Sequence, residues 1–121
     1  MNDYENIPPE IAARLIADGE CYVVDVRTPE EFAAHRIAGA HLLPVQELNA
    51  RHPEIPRDTG KKVLIYCEHG VRSVGACQAM AEAGWKNLVN MSGGMAHWME
   101  AGLPVASGTT ADKENLRPPV K

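Results

Sequence analysis

The sequence has little that would suit a membrane or a nucleic acid. No apolar run approaches the roughly 20 residues that span a bilayer. Twelve Lys and Arg against sixteen Asp and Glu give a formal net charge of −4, which provides no positive field for a phosphate backbone. Two Trp, three Tyr and one Phe are too few for a platform on which bases stack. We therefore expect neither a membrane nor a nucleic acid as a partner.

Cysteine and metal-ligand patterns are also sparse. The three cysteines form no C-x-x-C pair and leave an odd thiol, which predicts neither a disulfide framework nor a zinc site. They are Cys21, Cys67 and Cys77. Four histidines, His35, His41, His52 and His97, show no ligand spacing, so we expect no metal. The acidic segment 1–5 is followed by no apolar signal region, and we expect a cytoplasmic protein.

What is present is typical of one folded domain. The chain has 121 residues, of which 45% are hydrophobic and 23% charged. Prolines and glycines divide it into alternating helical and strand patterns. The predicted helices cover residues 11–16, 29–36, 73–83 and 94–101, with a weaker one at 45–51, and the predicted strands cover residues 21–26, 41–43, 62–67 and 88–91. This order indicates an α/β domain with a mainly parallel sheet.

Two local signals refine this outline. Thr28, Pro29 and Glu31 form a capping-box pattern at the start of the second helix. At the other end of the chain, residues 106–121 are polar and have few side chains to bury. We expect a domain over residues 1–105 and a disordered tail over residues 106–121.

The strongest chemical signal is a cysteine at the end of a strand. Cys67 closes the predicted strand 62–67, at the edge where open α/β sheets bind ligands. The loop after it leads into a helix N-terminus, whose backbone N–H groups and dipole favour an anion such as a thiolate. Gly70 permits a tight turn, Arg72 adds a positive charge, and Ser73 is suited to cap the helix. These features predict a lowered thiol pKa and a nucleophilic Cys67.

Three blocks of sequence carry a family resemblance. The first is the active-site loop pattern Cys-x-x-Gly-x-Arg-Ser, and two flanking signatures accompany it. The blocks are Cys67-Glu68-His69-Gly70-Val71-Arg72-Ser73, then Asp25-Val26-Arg27-Thr28-Pro29-Glu30-Glu31-Phe32 with Ile37, Gly39, Ala40 and Pro44, and finally Gly93-Gly94 with Trp98 and Ala101-Gly102-Leu103-Pro104-Val105. Together they resemble the single-domain rhodanese-type sulfurtransferases over about residues 4–105. One departure is His35-Arg36-Ile37, where the family usually has Gly-His-Ile.

The resemblance implies a fold and a mechanism. It implies a central five-stranded parallel sheet flanked by helices on both faces, with residues 4–7 as the first strand. It implies that Cys67 is catalytic and takes sulfur from a small anion such as thiosulfate, holding it as a persulfide. An acceptor such as cyanide, a thiol or a protein dithiol then removes the sulfur, without metal or cofactor. The substrate-binding residues implied are Glu68, His69, Gly70, Val71, Arg72 and Ser73.

Several roles stay open at this stage. Asp25 and Arg27 could support the loop, or they could pair with each other or cap the second helix. His69 could assist the substrate or point to solvent, and the charge of Glu68 should disfavour dianionic thiosulfate. Cys77 could resolve an oxidised Cys67, although nothing in the sequence places them within disulfide reach.

Two other functions remain possible. Cysteine phosphatases and arsenate reductases use a C-x5-R loop, one residue longer than the C-x4-R spacing from Cys67 to Arg72. The shorter loop favours a sulfur atom over a tetrahedral phosphate. The chain could also be a non-catalytic binding module of the same fold, although such relatives usually lack the cysteine.

Overall fold

The strands of the computed structural model, which describes residues 4–57 and 60–108, form one twisted parallel sheet. β1 covers Tyr4–Ile7, β2 Cys21–Asp25, β3 His41–Leu42, β4 Lys62–Tyr66 and β5 Leu88–Met91. Within the described residues the order is β1-β5-β4-β2-β3, and every neighbouring pair is parallel. The expected five-stranded parallel sheet is therefore confirmed, including its short first strand.

The described part of the chain has five helices, of which four lie between strands and the fifth follows β5. α1 covers Pro9–Ala17, α2 Pro29–Ala34, α3 Leu48–Arg51, α4 Val71–Glu82 and α5 Gly94–Glu100. Short 3-10 turns at Val45–Glu47 and His52–Glu54 flank α3. The central strands β4 and β2 are almost wholly buried because helices cover both of their faces.

The core has two halves, one on each face of the sheet. Ile65 of β4 packs with Cys77 of α4 and Leu48 of α3 in one half. Tyr66 packs with residues of α1, α2 and α5, such as Trp98, in the other. Successive strand residues point to opposite faces, so Cys67 shares the α4 side with Ile65.

Two predicted helix boundaries are wrong. α4 begins at Val71, not at residue 73, because Gly70 takes a left-handed conformation (φ 95°) at the N-cap position. Ser73 therefore lies inside the first turn and does not cap the helix. α2 ends at Ala34, before residue 36, because His35 is extended and its carbonyl accepts a hydrogen bond from the Arg27 side chain.

Residues 35–37, where the sequence departs from the family pattern, contact the end of the described chain. Arg36 is buried and forms an isolated antiparallel bridge with Ala106, with backbone hydrogen bonds of 2.9 Å in both directions. The backbone N–H of Gly108 donates to the carbonyl of Ala33 at 2.7 Å. Ordered contacts with the domain thus continue to residue 108, beyond the expected boundary at 105, and residues 109–121 of the expected tail lie outside the described part. No helix in residues 4–57 or 60–108 is long and apolar enough to cross a membrane.

Candidate active site

Cys67 follows β4 directly and lies in a cradle of backbone N–H groups. The residue is 1% exposed. Its Sγ atom accepts hydrogen bonds from the N–H of Gly70 at 3.1 Å and of Ser73 at 3.3 Å. The left-handed Gly70 turns the chain so that the first turn of α4 points its amides at the sulfur.

These contacts favour the thiolate. Burial raises the pKa of Cys67, but hydrogen bonds from the side chain and backbone of Ser73 and the backbone of Gly70 and His69 outweigh it, so the pKa lies below its usual value. The other two cysteines differ, because burial raises the pKa of Cys21 to about 11 and that of Cys77 to about 12. All three are free thiols. Cys67 alone of the three has the environment of a nucleophile.

A chain of polar side chains continues from the sulfur into the sheet. The hydroxyl of Ser73 lies 3.4 Å from Sγ of Cys67 and donates to Oδ1 of Asn90 at 2.5 Å. The amide of Asn90 in turn donates to Oδ1 of Asn6 at 2.9 Å. Sequence reasoning missed Asn90, which is only 3% exposed. A polar residue inside the apolar strand β5 was the signal, because a buried amide needs a partner.

The start of α5 fixes the beginning of the loop. The N–H of Met95 donates to the carbonyl of Cys67 at 2.8 Å, and the N–H of Ala96 donates to the carbonyl of Glu68 at 3.0 Å. Gly94 has a φ of 63°, and a Cβ atom there would lie 2.4 Å from the Cys67 carbonyl oxygen. The Gly93-Gly94 signature therefore permits the close approach of α5 to the loop.

Arg27 joins the end of β2 to this loop. It is 2% exposed and forms an ion pair with the fully buried Asp25 at 2.8 Å. Its Nη1 atom also donates to Oε1 of Glu68 at 2.9 Å. Arg27 thus contacts both Asp25 and the loop residue Glu68, whereas Thr28 caps α2, and support of the loop by this pair stays a prediction.

Arg72 forms an ion pair with α2. Its Nη1 and Nη2 atoms donate to the two carboxylate oxygens of Glu31 at 2.9 and 3.0 Å. Glu31 also closes the predicted capping box with Thr28. The Arg72 bonds, with help from Thr28, hold the pKa of Glu31 at about 2. The sequence indicated the capping role of Glu31 but not its ionic partner.

The remaining loop residues are at the surface. Val71 is 78% exposed, and His69 is also exposed. Among the other histidines, His41 lies between Tyr22 and Glu54, and His52 stacks edge-on against Trp85. No group of three or more His, Cys, Asp or Glu in the described ranges is arranged to hold a metal ion.

Comparison with known proteins identifies the family. The sequence profile of the Rhodanese-like domain matches residues 8–101. A sulfurtransferase of Allochromatium vinosum is 37% identical over 102 residues, covering 84% of this chain and 94% of that protein. The thiosulfate sulfurtransferase GlpE of Vibrio cholerae is 27% identical over 105 residues, covering 87% of this chain and 97% of that protein.

A solved structure agrees with these sequence matches. The rhodanese-related protein of Thermoplasma volcanium superimposes with a TM-score of 0.78 and 33% identity, covering 85% of this chain and 98% of that one. The fold and the sequence match define a rhodanese-like domain. The chain belongs to the rhodanese-like domain family.

Proposed function

We propose that the protein is a sulfurtransferase that carries sulfur as a persulfide on Cys67. The observation that carries this proposal is the cradle in which Gly70 and Ser73 direct their N–H groups at a thiol of lowered pKa. A relative of nearly the same length is named a sulfurtransferase and another a thiosulfate sulfurtransferase, which supports the same activity.

The first half-reaction loads the sulfur. The Cys67 thiolate attacks the outer sulfur of a donor such as thiosulfate, a new S–S bond forms to Sγ, and the donor's S–S bond breaks to release sulfite. The terminal sulfur of the persulfide carries the negative charge. Backbone N–H groups of the loop stabilise that charge, as an oxyanion hole does for oxygen.

The second half-reaction transfers the sulfur from Cys67 to the acceptor. Cyanide or a thiolate attacks the terminal sulfur, the bond to Sγ breaks, and the Cys67 thiolate returns; with cyanide the product is thiocyanate. A protein dithiol is an acceptor of the same chemical class. A cytoplasmic location is part of this proposal, because an odd number of cysteines without a C-x-x-C pair suits a reducing compartment.

Intact mass spectrometry tests the proposal. The protein is incubated with thiosulfate and measured under non-reducing conditions beside Cys67→Ala and, as a matched thiol control, Cys77→Ala. We expect the parent and Cys77→Ala to gain one sulfur atom that cyanide removes, and Cys67→Ala to gain none. Equal loading of Cys67→Ala would exclude the mechanism.

The same variants separate the alternative functions. Hydrolysis of an aryl phosphate that depends on Cys67 would indicate phosphatase chemistry. A non-catalytic module would neither load sulfur from any donor nor alkylate faster at Cys67 than an ordinary thiol does. We expect no Cys67-dependent hydrolysis.

A further inference from the structure

Five charged side chains form two sets of ion pairs that include the loop after Cys67. They are the guanidinium groups of Arg27 and Arg72 and the carboxylates of Asp25, Glu31 and Glu68. Each guanidinium is already bound to a carboxylate, and together the five groups carry one net negative charge. This set therefore has no unneutralised cation to offer a dianionic donor.

Arg72 is the cation of this set that follows the nucleophile in its own loop. Arg72 directly precedes Ser73, whose N–H donates to Sγ of Cys67 at 3.3 Å, so its backbone lies beside the cradle. The charge of the Cys67 thiolate also contributes to a raised pKa of Arg72, after the larger effect of Glu31. Its side chain and that of Glu31 are each about one-third exposed, so both are open to a ligand from solution. Arg72 is therefore suited to bind a donor anion, but its guanidinium group is already bound to Glu31.

The pair is held from two sides. Glu31 accepts hydrogen bonds from Arg72 with both oxygens, and its Oε1 atom also accepts from the backbone N–H of Thr28 at 3.0 Å. If the Glu31 carboxylate moved away from Arg72, the capping box that begins α2 would therefore open as well. An incoming anion therefore meets Glu31 together with Arg72, and the net negative charge of the five groups repels a dianion more strongly than a monoanion.

We propose that Glu31 is a specificity-determining residue, which makes the site prefer a singly charged organic sulfur donor over the thiosulfate dianion. This inference rests on the proposed sulfur transfer and adds the charge class of its donor. The carboxylate of Glu31 repels a dianion about twice as strongly as a monoanion at the same distance. The donor class it indicates is a sulfane sulfur carried on an organic group, such as a thiol-borne persulfide.

A pair of donors that differ in one charge tests the proposal. Thiosulfate is the dianion, and methanethiosulfonate is the monoanion in which a methyl group replaces one oxygen. Both lose their outer sulfur to a thiolate, releasing sulfite or methanesulfinate. The kcat/KM of each donor is measured with cyanide as acceptor, together with persulfide formation on Cys67 by intact mass.

The variants are Glu31→Gln and Glu30→Gln. A glutamine at position 31 keeps an oxygen for the capping box but removes the charge. Glu30 is exposed and precedes Glu31 on α2, so its variant removes the same charge and leaves the Arg72 pair in place. We expect the ratio of kcat/KM for thiosulfate to that for methanethiosulfonate to rise about fivefold in Glu31→Gln. In Glu30→Gln the ratio stays within about twofold because solvent screens the exposed charge.

The outcomes separate the two proposals. If the parent loads sulfur but the ratio is unchanged in Glu31→Gln, or rises equally in Glu30→Gln, the role of Glu31 is wrong while sulfur transfer stands. If neither donor loads sulfur onto Cys67 in the parent or the variants, the proposed function itself fails. A selective rise in Glu31→Gln supports both.

Discussion

Ser73 gives the proton of its hydroxyl to Oδ1 of Asn90 across 2.5 Å. A hydroxyl has one proton, so the bond between Ser73 and the neutral Cys67 thiol runs from S–H to Oγ. When the thiol ionises, the Ser73 hydroxyl can turn its proton to the sulfur instead. Asn90 and the thiolate thus compete for one proton, and Ser73 links the nucleophile to β5.

Replacing Ser73 by Ala should raise the pKa of Cys67. The hydroxyl is one of the groups that stabilise the thiolate, so its loss should raise the pKa of Cys67. The pH profile of alkylation by iodoacetamide measures this value, because an uncharged reagent reports the thiolate fraction. Ser92→Ala, a half-buried serine outside the loop, is the control. An unchanged profile in Ser73→Ala would show that the backbone N–H groups alone set the pKa.

Gly94→Ala should disrupt the loop, and Gly102→Ala is its matched control. Both glycines have a φ near 70°, but an added Cβ would meet the Cys67 carbonyl only at Gly94 and nothing within 4 Å at Gly102. In both variants the left-handed backbone should lower the free energy of unfolding by about 1–2 kcal/mol. In Gly94→Ala the free energy of unfolding should fall further, and the alkylation of Cys67 should also be slower. Urea unfolding and alkylation rates give the two readouts, and equal losses in both variants would contradict the role of close approach.

Arg27→Gln should be strongly destabilising. Asp25 is fully buried, and removing its cation should lower the free energy of unfolding by about 3–5 kcal/mol. Arg14→Gln, on the exposed side of α1, should change it little. Urea unfolding measures both. The double variant Asp25→Asn with Arg27→Gln should recover part of the loss, since no unpaired charge is then buried. A double variant less stable than Arg27→Gln alone would contradict this account.

The Glu31–Arg72 pair should stabilise the fold at neutral pH and not in strong acid. Glu31 has a pKa near 2 in the folded protein against 4.5 ordinarily, so its contribution is complete above pH 4.5 and is lost as the pH falls toward 2. Because the side chains are one-third exposed, we expect at most about 1 kcal/mol. The parent should exceed Glu31→Gln in urea unfolding at pH 7, and the difference should shrink by pH 3. If the stability difference between the parent and Glu31→Gln did not vary with pH, it would not come from the charge of Glu31.

Much of the fold was accessible from the sequence because its signals are local. The capping box of Thr28 and Glu31 lies within four residues, and the apolar run before Cys67 spans one strand. Both are confirmed in the structure. The start of α4 was misplaced because the left-handed conformation of Gly70 began the helix two residues earlier than Ser73 suggested.

The missed contacts are those between distant segments. Glu31 and Arg72 are 41 residues apart, and Ser73 and Asn90 are 17 apart. Their meeting depends on β4 lying between β2 and β5, which residue patterns along one segment do not specify. The sequence shows these four residues, but which of them contact each other depends on the strand order.

The alternation of side chains at the end of β4 has a consequence for redesign. Cys67 turns toward α4, whose amides activate it, while Glu68 turns toward Arg27 and the end of β2. The amides that bond the sulfur therefore come from Gly70 and the first turn of α4, whereas the carboxylates of the charged set come from β2, α2 and the loop. Substitutions along α2 and β2 offer a route to retune which donors are accepted while the reactivity of the thiolate is left to α4.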